Sequence, residues 1–400
     1  MDLSWRFDHR ERDYINEVLD SGFASGTSGT MNTRLEEAFA KRMGKNFAIT
    51  FNSGTTTLHA SLLALGVGHG DEVIVSPLTV ISCLNAIIYC NAVPVFADVD
   101  KDTFLIDPKD IKKKITHRTK AIMVVNLYGA VANMTDIMQI ANEYGIKVLE
   151  DCAQCYLGTH NGRIGGTIGH VGSWSFENSK HLTTGDGGIV ALDDEETADK
   201  IRKLSCQGFR NATAKSGKIR VSKEMFCDPS YKRHIVLGYM YRLPEICAAM
   251  GLAQLEKLDD FVSKRIRMAD LYKSVISNMA PKWLVYQKDA GLDVNSYYTF
   301  AVKLENPEVK WKEFWKKYVA VGGDSFYAAW SLLYKEDSVW DCDRYLSDVG
   351  LGKTPSTFST YCKNAEEIQP KLMQFTTNQK DESERMKQVE ALANTIRYFT

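Results

Sequence analysis

The 400-residue chain has no apolar run approaching the ~20 residues that a membrane-spanning helix requires. Its opening stretch, MDLSWRFDHRERDYINEVLDSGF, is charged throughout and lacks an apolar signal core, so a cytoplasmic protein is expected. Net charge is almost absent: 49 Lys and Arg stand against 50 Asp and Glu, for a formal −1. That balance provides no electrostatic reason to expect nucleic acid or an anionic membrane as a partner. Metal-ligand spacing is missing too. The eight histidines are scattered, and the CxxC of Cys152 and Cys155 has no second pair nearby. Nine cysteines, an odd number over so long a chain, suit reduced thiols better than a disulfide framework. No internal repeat and no low-complexity tail interrupts the chain.

What is present is an ordinary globular composition, 44% hydrophobic and 25% charged, with length for one large domain and a smaller one. Apolar runs at 47–51, 72–76, 94–97, 121–126 and 147–150 read as strands. Between them, periodic stretches at 58–65, 79–89, 108–114 and 134–144 read as helices. This alternation predicts a parallel sheet covered on both faces, with ligands at the carboxyl ends of its strands. A helical pattern over 193–205 leads into a loop at 208–228, rich in Lys, Arg, Ser and Asn. Leu243-Pro244 then opens a long, broken helix toward Met279. Strands at 283–287 and 297–304 and helices at 311–319 and 381–399 predict a smaller α+β unit. The expected division is a large domain over 1–255 and a small C-terminal domain over 256–400.

Three spots carry chemistry. Asn52-Ser53-Gly54-Thr55-Thr56 joins a strand to a helix start, where unpaired backbone N–H groups and the positive helix end form an anion cup. The same residues equally describe a plain connection with a Ser/Thr cap. Asp151 follows directly on a strand, at the same edge of the sheet. Lys180 sits on a sharp connection between runs 174–177 and 189–192, where Gly185, Gly187 and Gly188 permit tight turns. A lysine so mounted is a candidate for covalent chemistry on a carbonyl, although most loop lysines are simply solvated. Pyridoxal phosphate requires all three features: a phosphate site, an amine for its aldehyde, and a carboxylate that keeps its ring nitrogen protonated.

The chain resembles the DegT/DnrJ/EryC1 family of sugar aminotransferases, of the aspartate aminotransferase-like fold. The resemblance lies in SGTTTLHASLLALGVGHGDEVIVSPLT (53–79), PVFADVD (94–100), EDCAQ (150–154), GSWSFENSKHLTTGDGG (172–188) and GYMYRLPEICAAMGLAQLEKL (238–258). It implies an α/β fold whose large domain holds a mainly parallel seven-stranded sheet. It also implies pyridoxal 5'-phosphate as cofactor and transfer of an amino group, from L-glutamate, to a keto group on a nucleotide-linked sugar. Carried over residue by residue, Lys180 is the imine lysine and proton shuttle, and Asp151 pairs with the ring nitrogen. Gln154 lies against the ring or its 3-oxygen, and Gly54, Thr55 and Ser175 bind the phosphate, with Thr56 as a neighbour. A homodimer is implied, as is a place in polysaccharide biosynthesis.

Three departures stand out. Val80 occupies a position where many members stack an aromatic ring on the cofactor. Met240 replaces an asparagine that reaches the partner subunit's phosphate, and methionine has no donor to offer. GGDSFYAAW (322–330) lacks the family's basic/histidine pattern. A dehydratase of the same family would carry histidine in place of the lysine, whereas here His181 only follows Lys180. A keto acceptor without a nucleotide is also compatible with the pattern, and a non-catalytic regulator could be built on the same fold. The glycines of 162–172 do not form a dinucleotide fingerprint.

Overall fold

The computed structural model describes residues 3–279, 282–288, 293–340 and 362–400. A short 3-10 turn at Ser4–Arg6 precedes helix α1 (His9–Asp20), which Asp8 and Glu11 close in a capping box. Helix α2 (Met31–Met43) stops at Gly44, whose φ of 64° is the left-handed turn that ends many helices. Strands and helices then alternate as expected: β1 (Phe47–Phe51), α3 (Gly54–Ala64), β2 (Glu72–Val75), α4 (Ile81–Tyr89), β3 (Val93–Phe96), α5 (Pro108–Lys114), β4 (Thr119–Val125), α6 (Met134–Tyr144) and β5 (Lys147–Asp151). A small hairpin, β6 (Thr159–His160) and β7 (Arg163–Ile164), leads into β8 (Val171–Ser175), β9 (Gly188–Leu192) and α7 (Glu195–Ser205).

The large sheet has seven strands in the order β1-β9-β8-β5-β4-β2-β3. All neighbours are parallel except at β9, which runs against both β1 and β8. The parallel strands are buried along most of their length, which explains their unbroken apolar runs. The reversed β9 has a direct consequence: the β8–β9 connection remains at one edge of the sheet, and it carries Lys180.

The expected loop at 208–228 contains one short helix, α8 (Lys223–Cys227). The long broken helix is two helices, α9 (Glu245–Leu255) and α10 (Leu258–Met279). Beyond it, β10 (Leu284–Tyr286), β11 (Thr299–Leu304), α11 (Trp311–Ala320), β12 (Tyr327–Ala328) and β13 (Leu372–Thr376) lead to a terminal helix at Glu382–Phe399. The second sheet is antiparallel, in the order β10-β11-β13-β12. Neither β12 nor β13 stood out in the sequence. The first has only two residues, and the second is five residues long and follows directly on a helix (Lys363–Ile368) and a 3-10 turn. Two hydrophobic clusters form. Helix α10 passes from one to the other: Leu258 and Val262 lie in the first, Met268 and Tyr272 in the second. Among the described residues, no helix is long and apolar enough to cross a membrane.

Candidate active site

The carboxyl ends of β1, β2, β5 and β8 lead to Ser53, Ser76, Asp151 and Ser175 respectively, so the three sequence spots meet at one sheet edge. At the end of β1, Ser53 caps α3, its hydroxyl accepting the Thr56 N–H at 3.2 Å. The first intrahelical bond is from Thr57 N–H to Ser53 O at 3.3 Å, which leaves the N–H groups of Gly54 and Thr55 without a helix partner. The Thr55 hydroxyl donates to Ser82 Oγ at 2.9 Å. Thr56 differs: its hydroxyl lies 2.9 Å from both Asn52 Oδ1 and Ser53 O, committed to the cap.

Gly54 lies against Ser175. A Cβ on Gly54 would sit 2.7 Å from Ser175 Cβ and 3.1 Å from its hydroxyl. Gly54→Ala is therefore expected to destabilise the fold by about 1–3 kcal/mol, read as a lower urea midpoint. An unchanged midpoint would show that β8 yields without cost. Ser175 is further fixed through its carbonyl, which accepts the buried Tyr156 hydroxyl at 2.7 Å.

Asp151 is 2% exposed at the end of β5. Its Oδ1 accepts the Ala153 N–H at 2.9 Å and its Oδ2 the Cys83 thiol at 3.2 Å. Burial raises its pKa above the usual carboxylate value, and the Ala153 and Cys83 bonds and the Lys180 charge pull the other way. Gln154 is buried, and its Oε1 accepts the Tyr128 N–H at 3.0 Å. Tyr128 holds a left-handed φ of 64°, so Gln154 and this strained turn fix one another. Cys152 accepts from Asn126 Nδ2 at 3.1 Å and Cys155 donates to Gly129 O at 3.3 Å; each thiol is engaged separately in the core.

Lys180 is 9% exposed, and its Nζ lies 4.5 Å from the centroid of the Tyr298 ring. Two buried arginines hold its loop by the backbone. Arg6 donates to the carbonyls of Asn178 (2.8 Å), Lys180 (2.7 Å) and His181 (2.9 Å). Arg265, from α10, donates to Ser179 O at 3.3 Å and to Tyr298 O at 2.8 Å. Burial pulls the Arg6 guanidinium down to about 10 and that of Arg265 to about 9, so both stay cationic at neutral pH. His181 Nε2 donates to Ser296 O at 2.9 Å, and burial keeps its pKa well below the ordinary histidine value.

Sequence reasoning did not find Arg6, Arg265, Tyr298 or Cys83. Among the departures, Val80 is the residue before α4, the helix that delivers Ser82 and Cys83 to the site. Met240 is 55% exposed and its sulfur accepts from Arg242 at 3.0 and 3.2 Å. Within 322–330, Phe326 enters the second core while Tyr327 and Trp330 remain exposed.

Comparisons with known proteins bear on the fold and the family. GDP-perosamine synthase of Escherichia coli O157:H7 is 40% identical over 270 residues, covering 68% of this chain and 69% of that protein. The X-ray structure of an aminotransferase from Psychrobacter cryohalolentis matches with a TM-score of 0.86 and 27% identity, over 98% of both chains. The E. coli GDP-4-keto-6-deoxy-D-mannose-3-dehydratase with bound hydrated PLP matches with a TM-score of 0.81 and 26% identity, over 96% of this chain and 97% of that one. Residues 6–339 match the DegT/DnrJ/EryC1/StrS aminotransferase family, to which this chain belongs.

Proposed function

We propose that the chain is a pyridoxal phosphate-dependent aminotransferase that moves an amino group, from L-glutamate, onto the keto group of a nucleotide-linked deoxysugar. The observation that supports this reading is the convergence on one sheet edge of the α3 start, the buried Asp151 at the end of β5 and the buried Lys180 on the β8–β9 connection. The residues fit the cofactor. The start of α3 offers two N–H groups beside Ser175, and Gly54 lets β8 approach that start more closely than a Cβ would allow. When bound, the cofactor supplies an electron-withdrawing ring that stabilises negative charge on the carbon bearing the amino group.

Each residue then has a task. Gly54, Thr55 and Ser175 hold the phosphate through backbone and hydroxyl donors. Thr56 supports that cup through the helix cap rather than with a free hydroxyl. Asp151 keeps a proton on the ring nitrogen, and Gln154 braces the ring from Tyr128. Lys180 would hold the cofactor at its aldehyde end, and its amine would accept and return the proton at the carbon bearing the amino group.

The likeness to GDP-perosamine synthase favours a guanosine diphosphate-linked keto-deoxysugar as acceptor and polysaccharide biosynthesis as the destination. Dehydration, the activity of the E. coli structural relative, is the second reading. Lys180 weighs against it, because histidine stands for the lysine in such members and His181 here is bonded to Ser296. We further assign the working unit as a cytoplasmic homodimer. The exposed Ile235, Val236, Leu237 and Met240 form an apolar rim for the second copy. Residues 1–255 carry the phosphate cup, Asp151 and Lys180, and residues 256–400 bring Arg265 and Tyr298 to the Lys180 loop. Borohydride reduction of the chain with pyridoxal phosphate is expected to fix the cofactor on Lys180, read by peptide mass spectrometry. A label on another lysine, or none, overturns the assignment.

A further inference from the structure

The Lys180 amine rests on an aromatic face built for it. Its 4.5 Å separation from the Tyr298 centroid is inside the ~6 Å range of cation–π attraction. The Tyr298 hydroxyl lies 2.7 Å from Ser179 Oγ, and Ser179 Oγ donates to Glu177 Oε2 at 2.5 Å. With the serine proton committed to the carboxylate, the phenol is the donor to Ser179. The relay runs from ring to carboxylate and enriches the ring in electrons. The Ser179 N–H also donates to Glu177 Oε2, at 2.9 Å, which fixes the middle of the relay. Arg265 binds the backbone of Ser179 and of Tyr298 together, so lysine loop and ring are held as one unit although they lie 118 residues apart (298 − 180).

We propose that Tyr298 is a positioning residue whose ring face seats the Lys180 amine whenever that amine carries no covalent bond. The seat returns the amine to one place in each half of the transfer. Glu177 and Ser179 set its strength through the phenol. This inference rests on Lys180 being the lysine that engages the cofactor.

The test uses the cofactor-free chain. Tyr298→Phe keeps the ring and removes the relay. Fluorinated phenylalanines placed at 298 keep the shape and drain the face step by step. Modification of Lys180 by trinitrobenzenesulfonate is timed by peptide mass spectrometry, with the exposed Lys312 as internal standard. Relative to the native chain, Tyr298→Phe is expected to react about threefold faster and the most fluorinated ring about tenfold faster. A rate that ignores the number of fluorines overturns the seat, since a purely structural ring would not register them. If a fluorinated chain does not fold, the order native, then Tyr298→Phe, then the faster Tyr298→Leu decides the same question, and equal rates overturn the seat. Borohydride labelling of the native chain separates the two ideas. Failure to label Lys180 removes the cofactor assignment, and labelling beside a flat fluorine series removes the seat alone.

Discussion

Lys180→Ala lowers turnover by at least about 10⁴-fold, the loss expected when one group supplies both the covalent attachment and the proton transfer. The loop itself survives the change. Arg6 grips the Lys180 carbonyl, the Lys180 N–H donates to Glu177 O at 3.0 Å, and neither contact uses the side chain. The phosphate cup and Asp151 are likewise untouched, so the variant still binds pyridoxal phosphate, now without a bond that borohydride can fix. A small primary amine such as methylamine, added in excess, returns part of the lost rate by replacing the missing amine. Steady-state rates with excess amino donor, followed by titration of cofactor into the variant, check both statements. A rate within tenfold of the native chain would mean that another group moves the proton.

Asp151→Asn separates function from stability. Asparagine cannot carry the charge that holds a proton on the ring nitrogen, so turnover falls by about 10³-fold. The cofactor-free fold becomes more stable at the same time. Burial raises the Asp151 pKa above its ordinary value of 3.8, so the folded chain holds that proton to higher pH than the unfolded chain does. For a group shifted upward, the favourable contribution is complete below the unfolded value and is lost as pH rises through the folded one. Ionised Asp151 is therefore a cost at neutral pH, and asparagine removes it. The melting temperature of cofactor-free Asp151→Asn exceeds that of the native chain at pH 7, and the gap narrows toward about pH 4. A variant less stable than the native chain at pH 7 would show that the Cys83 and Ala153 bonds outweigh burial.

The large sheet was legible because its strands are parallel and buried, so their apolar runs stand out from the helices between them. Gly54, Asp151 and Lys180 were legible because each sits at a strand end or a sharp turn, where sequence position and spatial position coincide. The reversed direction of β9 was not, since a short apolar run does not record its partners. Nor was the commitment of Thr56 to the cap, because Ser53, Thr55 and Thr56 carry the same hydroxyl and only the helix start distinguishes them. Arg6, Arg265 and Tyr298 were invisible for a different reason. They act on backbone carbonyls and on a neighbouring amine from 174, 85 and 118 residues away (180 − 6, 265 − 180, 298 − 180), and no local pattern encodes such contacts.

The grip of Arg6 on three loop carbonyls also bears on assembly during synthesis. The arginine leaves the ribosome long before the carbonyls it will hold, and Arg265 and Tyr298 follow later still. The large sheet can collapse while the nascent chain is tethered, yet Lys180 has no fixed bed until the stretch through residue 298 has emerged. The Lys180 amine is thus lodged against the Tyr298 ring only late in translation.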